Sequence, residues 1–142
     1  MTRQHRRNNR RGTSAVEFAF IAPVFFLLVI GMIEFGRAMM VQQILTNAAR
    51  QGARMATLDS TNNSSSPTPT SMVTSEVNSV LAAANVTGAT TAISPSLPAA
   101  AGTDVSVTVS VPYMAVTWVP SPWFLSGATL SANCVMRRET TQ

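Results

Sequence analysis

The sequence has one carboxylate at a position where a charge is energetically unfavourable, five residues after a glycine. Glu17 opens a stretch that is otherwise apolar, five residues after Gly12. A carboxylate in the core of a bilayer costs roughly 2.5–3.5 kcal/mol on insertion scales, so a membrane-embedded Glu17 needs a cationic partner. Cleavage of the Gly12–Thr13 bond would create one, because the new α-amino group of Thr13 would lie one helical turn from the carboxylate.

Two other roles for Glu17 are open on the residues alone. Its carboxylate could pair with the Thr13 amine of a neighbouring copy of the chain, which would set the register between packed helices. It could instead lie at the membrane surface and be solvated there.

The side chains that usually carry catalysis are not grouped in this sequence. The single histidine, His5, lies in the basic N-terminal segment, and Cys134 is the one cysteine. Asp59, Glu76 and Asp104 show no spacing that suggests an acid–base pair. The sequence has neither a glycine-rich phosphate loop nor a metal-ligand cluster. We therefore expect no enzymatic activity, no cofactor, no metal site and no small-molecule substrate.

The positive charge is concentrated at the N-terminus. The chain has a formal net charge of +4, and five of its ten arginines precede Gly12, at positions 3, 6, 7, 10 and 11. The remainder is close to neutral, so we expect no nucleic-acid partner.

The run from Phe18 to Ile33 has no charged residue and is near the lower length limit for a membrane span. The positive-inside rule keeps the arginine-rich segment in the cytoplasm and exports everything after the span. A cleaved secretory signal would have a shorter apolar region ending in a small-x-small site. We therefore expect a retained single-pass anchor in the inner (cytoplasmic) membrane, with a periplasmic or otherwise extracytoplasmic C-terminal domain.

A helical pattern continues past the apolar run. Apolar residues recur at steps of four and three, at Val41, Leu45, Ala48, Gly52 and Met55. This spacing predicts one continuous helix from about Thr13 to Leu58. The first half of the helix suits lipid, and the second half suits a small folded partner.

The remainder predicts a small α+β domain. A polar connector (59–70) precedes an amphipathic helix predicted over 71–85. Valines alternate with Ser and Thr from Val105 to Val111, which predicts a strand that Pro112 ends. Two more strands are predicted over 90–94 and 129–136.

An aromatic segment (113–125) separates the last two predicted strands. It could lie on the membrane surface, where Trp and Tyr accumulate, or form a subunit contact. Cover of the domain's own core is the interpretation we favour.

A sheet this small buries too little apolar surface to be stable alone. We expect the apolar stripe of the long helix to pack against it and complete the core. The predicted fold class is α+β and pilin-like: a long N-terminal helix, transmembrane in its first half, packed on a small antiparallel sheet with one additional short helix. The predicted organisation is a cleaved cytoplasmic leader (1–12), a transmembrane helix (13–36), its amphipathic extension (37–58), a flexible linker (59–70) and an exported domain (71–142).

The N-terminal segment resembles the processing site of type IV prepilins, in which a basic leader ends in Gly and Glu is the fifth residue of the mature chain. More narrowly, it resembles the TadE-like family, minor pilin-like proteins of the tight-adherence (Tad, or Flp) pilus system. The matching residues are Gly12-Thr13-Ser14-Ala15-Val16-Glu17-Phe18-Ala19, Ala22-Pro23, Gly31, Glu34 and Gly36-Arg37. The C-terminal Met136-Arg137-Arg138-Glu139 is a weaker similarity.

The resemblance implies removal of the leader by a prepilin peptidase and a role in assembling or priming a surface filament. It places processing at Gly12 and Thr13, and the charge needed for assembly at Glu17. Glu34 and Arg37 match the family pattern and are three residues apart on one helix, so they form a candidate pair or are solvated separately at the membrane interface. The implied partners are the membrane, the peptidase, other pilin-like subunits and the pilus assembly platform. The alternative function is a single-pass, membrane-anchored binding module that never polymerises.

Overall fold

A computed structural model of the chain describes residues 8–58, 69–97, 99–100, 102–118 and 127–138. Two helices and three strands occupy these ranges. They are helix α1 (Asn8–Thr57), helix α2 (Pro69–Ala83), and strands β1 (Thr90–Ser94), β2 (Asp104–Pro112) and β3 (Thr129–Arg137). A 3₁₀ turn, Tyr113–Ala115, follows β2. The α+β class and the pilin-like layout are confirmed.

Helix α1 is longer at its start than its sequence predicts. It begins at Asn8, five residues before the expected start at Thr13, and ends at Thr57, one residue before Leu58. Arginine is a good helix former, and one glycine costs only about 1 kcal/mol in a helix, so Gly12 does not end it. Pro23 lies inside the helix.

The chain divides into two compact units, Met1–Gly36 and Arg37–Gln142. The described side chains of the first unit, Gly12 to Gly36, are all exposed or half-exposed. An 18-residue window of α1 has a mean hydropathy of 2.5, and none of it is buried. Within the described part of the chain, α1 alone is long and apolar enough to cross a membrane.

The second unit contains an antiparallel sheet with strand order β1-β2-β3. In the central strand β2, valines alternate with serines and threonines, so the strand has one apolar face and one polar face, as predicted. One face carries four valines that are fully buried, namely Val105, Val107, Val109 and Val111. The other face is polar: the Asn133 amide donates to the hydroxyls of Ser106 and Thr108, at 2.7 Å each.

Both helices contribute to the core that covers the valine face. The second half of α1 supplies mostly small side chains, which are Val41, Leu45, Ala48, Ala49, Ala53 and Ala56. Helix α2 supplies Val73, Val77 and Leu81. The predicted apolar stripe on α1 is confirmed, with Met55 half-buried against the same cluster.

Gly52 lies where α1, α2 and β2 meet. A Cβ atom at this position would come within 2.7 Å of Val77 Cγ2 and 3.2 Å of Val107 Cγ1. The shorter contact requires a neighbour to move, and the longer one is tighter than most real contacts of a Cβ atom. Glycine therefore permits the close approach of three elements at this point.

Helix α1 also contacts one edge of the sheet. The Gln42 side-chain amide donates to the Ser131 carbonyl on β3, at 2.8 Å. At the end of β3, Arg138 is 6% exposed, and its guanidinium donates to the Ala99 carbonyl. The half-buried Cys134 packs against the core from the same strand.

The aromatic segment divides between two environments. Tyr113 packs against the core and Val116 is buried, as the core-cover interpretation expects. Trp118 is 74% exposed, so that interpretation is wrong for this residue. Residues 119–125, and most of the predicted linker (59–68), lie outside the described residues.

Candidate processing and assembly site

The predicted processing site lies near the start of α1, and Gly12 is exposed there. A Cβ atom added to Gly12 would meet no heavy atom within 4 Å, in contrast to Gly52. Packing among the described residues therefore does not explain a glycine at position 12.

Glu17 is exposed on the same helix, one turn after Thr13. On the helix surface its neighbours are Thr13 and Ser14 on the N-terminal side, and on the C-terminal side Phe20 and Ile21, which are 76% and 57% exposed. The carboxylate thus borders a surface that water does not favour. Such a surface is stable once lipid or the apolar face of another helix covers it.

The remaining predicted pair lies farther along α1. Glu34 follows Glu17 by 17 residues, a rise of about 26 Å. Helix geometry therefore separates Glu34 from the predicted processing site, and among the predicted site residues Gly12, Thr13 and Glu17 lie within about one and a half turns of α1. The pairing of Glu34 with Arg37 stays a prediction.

Arg37 makes contacts that its spacing from Glu34 does not predict. Its Nε donates to the carbonyl of Val116, 79 residues later in the chain. The guanidinium carbon also lies 4.4 Å from the centre of the Trp118 ring, a cation–π contact. The sequence showed that residues 113–125 are rich in aromatic side chains that could make a contact. It did not show that the partner would be a residue on α1.

The described residues contain no group of three or more His, Cys, Asp and Glu side chains that could hold a metal ion. A shallow surface depression on the second half of α1 is lined by Met39 and by polar side chains. These are Gln42, Gln43, Thr46, Asn47 and Arg50. This set carries one cation and no carboxylate, which is insufficient for acid–base chemistry.

Comparison with known proteins gives one match. Residues 12–54 match the family model of TadE-like protein. No curated protein and no solved structure matches the chain. The predicted resemblance to the TadE-like family is thereby confirmed over this segment. It associates the chain with the Tad pilus system, and together with the candidate span it fits anchoring in a membrane.

Proposed function

We propose that this chain is a minor pilin-like subunit that assembles or primes a Tad-type (Flp) adhesive pilus after a prepilin peptidase removes residues 1–12. The match to the TadE-like family carries this proposal, because it begins at Gly12 and runs along a helix in which none of the described side chains before Val41 is buried. A helix that is apolar all round and bare within its own chain is suited to lipid and to neighbouring helices.

The peptidase step accounts for the glycine at position 12. Since no described neighbour restricts the size of this residue, the restriction would come from the peptidase. Hydrolysis of the Gly12–Thr13 bond consumes one water molecule and leaves a carboxylate on Gly12 and an amine on Thr13. Protonated, that amine is a cation one helical turn from Glu17.

The new ion pair gives Glu17 its function in assembly. Within one subunit it would lower the cost of keeping the carboxylate in the bilayer. Between two subunits it would fix the axial register of their helices. The five leader arginines hold the N-terminus in the cytoplasm by the positive-inside rule, so the processed domain is extracytoplasmic and anchored in the inner membrane.

N-terminal sequencing of the protein, made in cells with its native peptidase, tests the proposal. We expect the mature chain to start at Thr13, and Gly12→Leu to abolish the cleavage. Gly31→Leu is the matched control, because a side chain at Gly31 also meets nothing within 4 Å. A start at Met1 or Thr2 would contradict processing and favour the anchored binding module.

A second substitution separates assembly from processing. Glu17→Gln is expected to leave a chain that starts at Thr13 but no longer supports filament formation, as counted by electron microscopy. Glu76→Gln, the same chemical change on α2, should leave filament numbers unchanged. Wild-type filament numbers in the Glu17→Gln strain would show that Glu17 has no pairing role.

A further inference from the structure

The side chains immediately beyond the apolar run form a second surface suited to lipid. Arg37 is the first residue of the second unit and directly follows the predicted transmembrane helix (13–36) in the sequence. Its hydrogen bond to Val116 and its contact with the Trp118 ring hold the loop after β2 close to the start of this unit. Trp118 is therefore positioned by a residue at the end of the candidate span.

Exposed apolar side chains are concentrated at this end of the second unit. Among its described residues, six large apolar side chains are exposed. Four of them are Met39 and Met40, within one helical turn of Arg37, and Met114 and Trp118, in the loop that Arg37 holds. We call these four residues the collar. Their exposures run from 48% for Met39 to 74% for Trp118.

The part of α1 that carries Met39 and Met40 is about as long as a lipid headgroup layer is deep. A bilayer is about 30 Å thick in its hydrocarbon core and about 40–45 Å with its headgroups, so each headgroup layer is roughly 5–8 Å deep. The four residues from Arg37 to Met40 rise about 6 Å along a helix. Val41, the next residue, is buried in the protein core. Met39 and Met40 therefore lie on the part of α1 between the predicted transmembrane helix (13–36) and Val41.

The residue types in the collar also fit a lipid interface. Trp has an amphipathic ring that accumulates at the headgroup level, and Arg37, which contacts the Trp118 ring from outside the collar, is compatible with phosphate there. The collar itself contains no carboxylate that phosphate would repel. Methionine adapts its shape to an irregular surface such as the ends of acyl chains.

We propose that the collar sits in the headgroup layer of the extracytoplasmic leaflet, with Trp118 positioned there by Arg37. This inference rests on the membrane span of the proposed function. It adds a second membrane contact, made by the folded domain itself. Such a contact would fix the tilt and the height of the domain above the bilayer before any filament subunit is recruited.

Fluorescence of Trp118 in vesicles tests the collar. The full chain carries two tryptophans, so the variant Trp123→Phe leaves Trp118 as the reporter. It is reconstituted at low protein density into vesicles of phosphatidylcholine and phosphatidylglycerol. We expect strong quenching by lipids brominated near the glycerol backbone, and several-fold weaker quenching by aqueous acrylamide than the same chain shows when unfolded in urea.

A matched pair of variants tests the role of Arg37. In the same background, Arg37→Gln should raise acrylamide quenching of Trp118 several-fold. Arg54→Gln, which removes an exposed arginine in the last turn of the same helix, should not. Equal quenching in the two variants would show that Arg37 does not position Trp118.

Flotation of the vesicles shows whether a negative result contradicts the position of the collar in the headgroup layer or the membrane anchor itself. A chain that floats with the vesicles while acrylamide quenches Trp118 fully would overturn the collar and keep the span. Shielding of Trp118 from both quenchers would also overturn it, and would assign the surface to a protein neighbour. A chain that does not float would overturn both the collar and the membrane anchor.

Discussion

Both halves of helix α1 are helical, but the first half is exposed and the second half buries one side of its surface. In the first half, the phenylalanines Phe18, Phe20, Phe25 and Phe26 are 59–76% exposed. In the second half, Ala48, Ala49 and Ala53 are at most 1% exposed. The larger apolar side chains thus lie on the bare half and the smaller ones on the packed half. Apolar content alone does not identify a core. A narrow stripe of small residues allows close packing against a sheet, whereas large residues on all sides are suited to lipid.

The largest effect is expected from charges in the bare half. The double substitution Leu27→Arg with Leu28→Arg should make membrane insertion less favourable by about 6 kcal/mol, because each central arginine costs roughly 2.5–3.5 kcal/mol. The fraction of chain that stays with membranes after an alkaline carbonate wash measures this effect. Gln43→Arg with Asn47→Arg, at exposed positions in the packed half, is the control and should be retained. Retention of both variants would argue against a lipid environment for the first half.

A smaller effect is expected from a leucine in the packed half. Leu45 is 0% exposed, so Leu45→Ala should lower the free energy of unfolding by about 2–5 kcal/mol through loss of contacts and cavity formation. Leu28→Ala removes the same atoms from a side chain that is 56% exposed, and should change that free energy by less than about 0.5 kcal/mol. Urea unfolding of the full chain in detergent, followed by circular dichroism, measures both. Equal losses would show that the two halves stabilise the fold equally.

The smallest effect of the three is expected at the glycines. Gly52→Ala places a methyl group 2.7 Å from Val77 Cγ2, which should cost about 1–3 kcal/mol by overpacking. The better helix propensity of alanine offsets up to about 1 kcal/mol of this cost. Gly36→Ala meets nothing within 4 Å and serves as the control. Thermal unfolding of the two variants in detergent should show a lower Tm for Gly52→Ala alone. A Tm at or above wild type for Gly52→Ala would mean that α2 moves away at little cost.

Local periodicity predicted most of the fold. The steps of four and three from Val41 to Met55 identified the packed stripe, and the alternation from Val105 to Val111 identified the central strand. The expected bounds of β1 are those observed, and the expected bounds of β3 differ by one residue. These patterns are readable because each helix or strand repeats its buried face at a fixed interval.

Contacts between distant parts of the chain could not be predicted in this way. Arg37 and Val116 are 79 residues apart, and no spacing rule connects an arginine to a backbone carbonyl. Gly52 matched the stripe, yet its role as the meeting point of three elements depends on how α2 crosses α1. The proposed processing site was predicted from a motif instead, because no packing contact among the described residues marks Gly12.

The hydrogen bond from Gln42 to the Ser131 carbonyl bears on how such a chain avoids uncontrolled self-association. Strand β3 is an edge of the sheet, and an open edge invites the addition of strands from other molecules. An incoming strand would have to displace the Gln42 amide to reach that carbonyl. The second half of α1 thus covers one carbonyl on the β3 edge of the sheet. A side-chain hydrogen bond of this kind makes the addition of a foreign strand at that position of the edge less favourable.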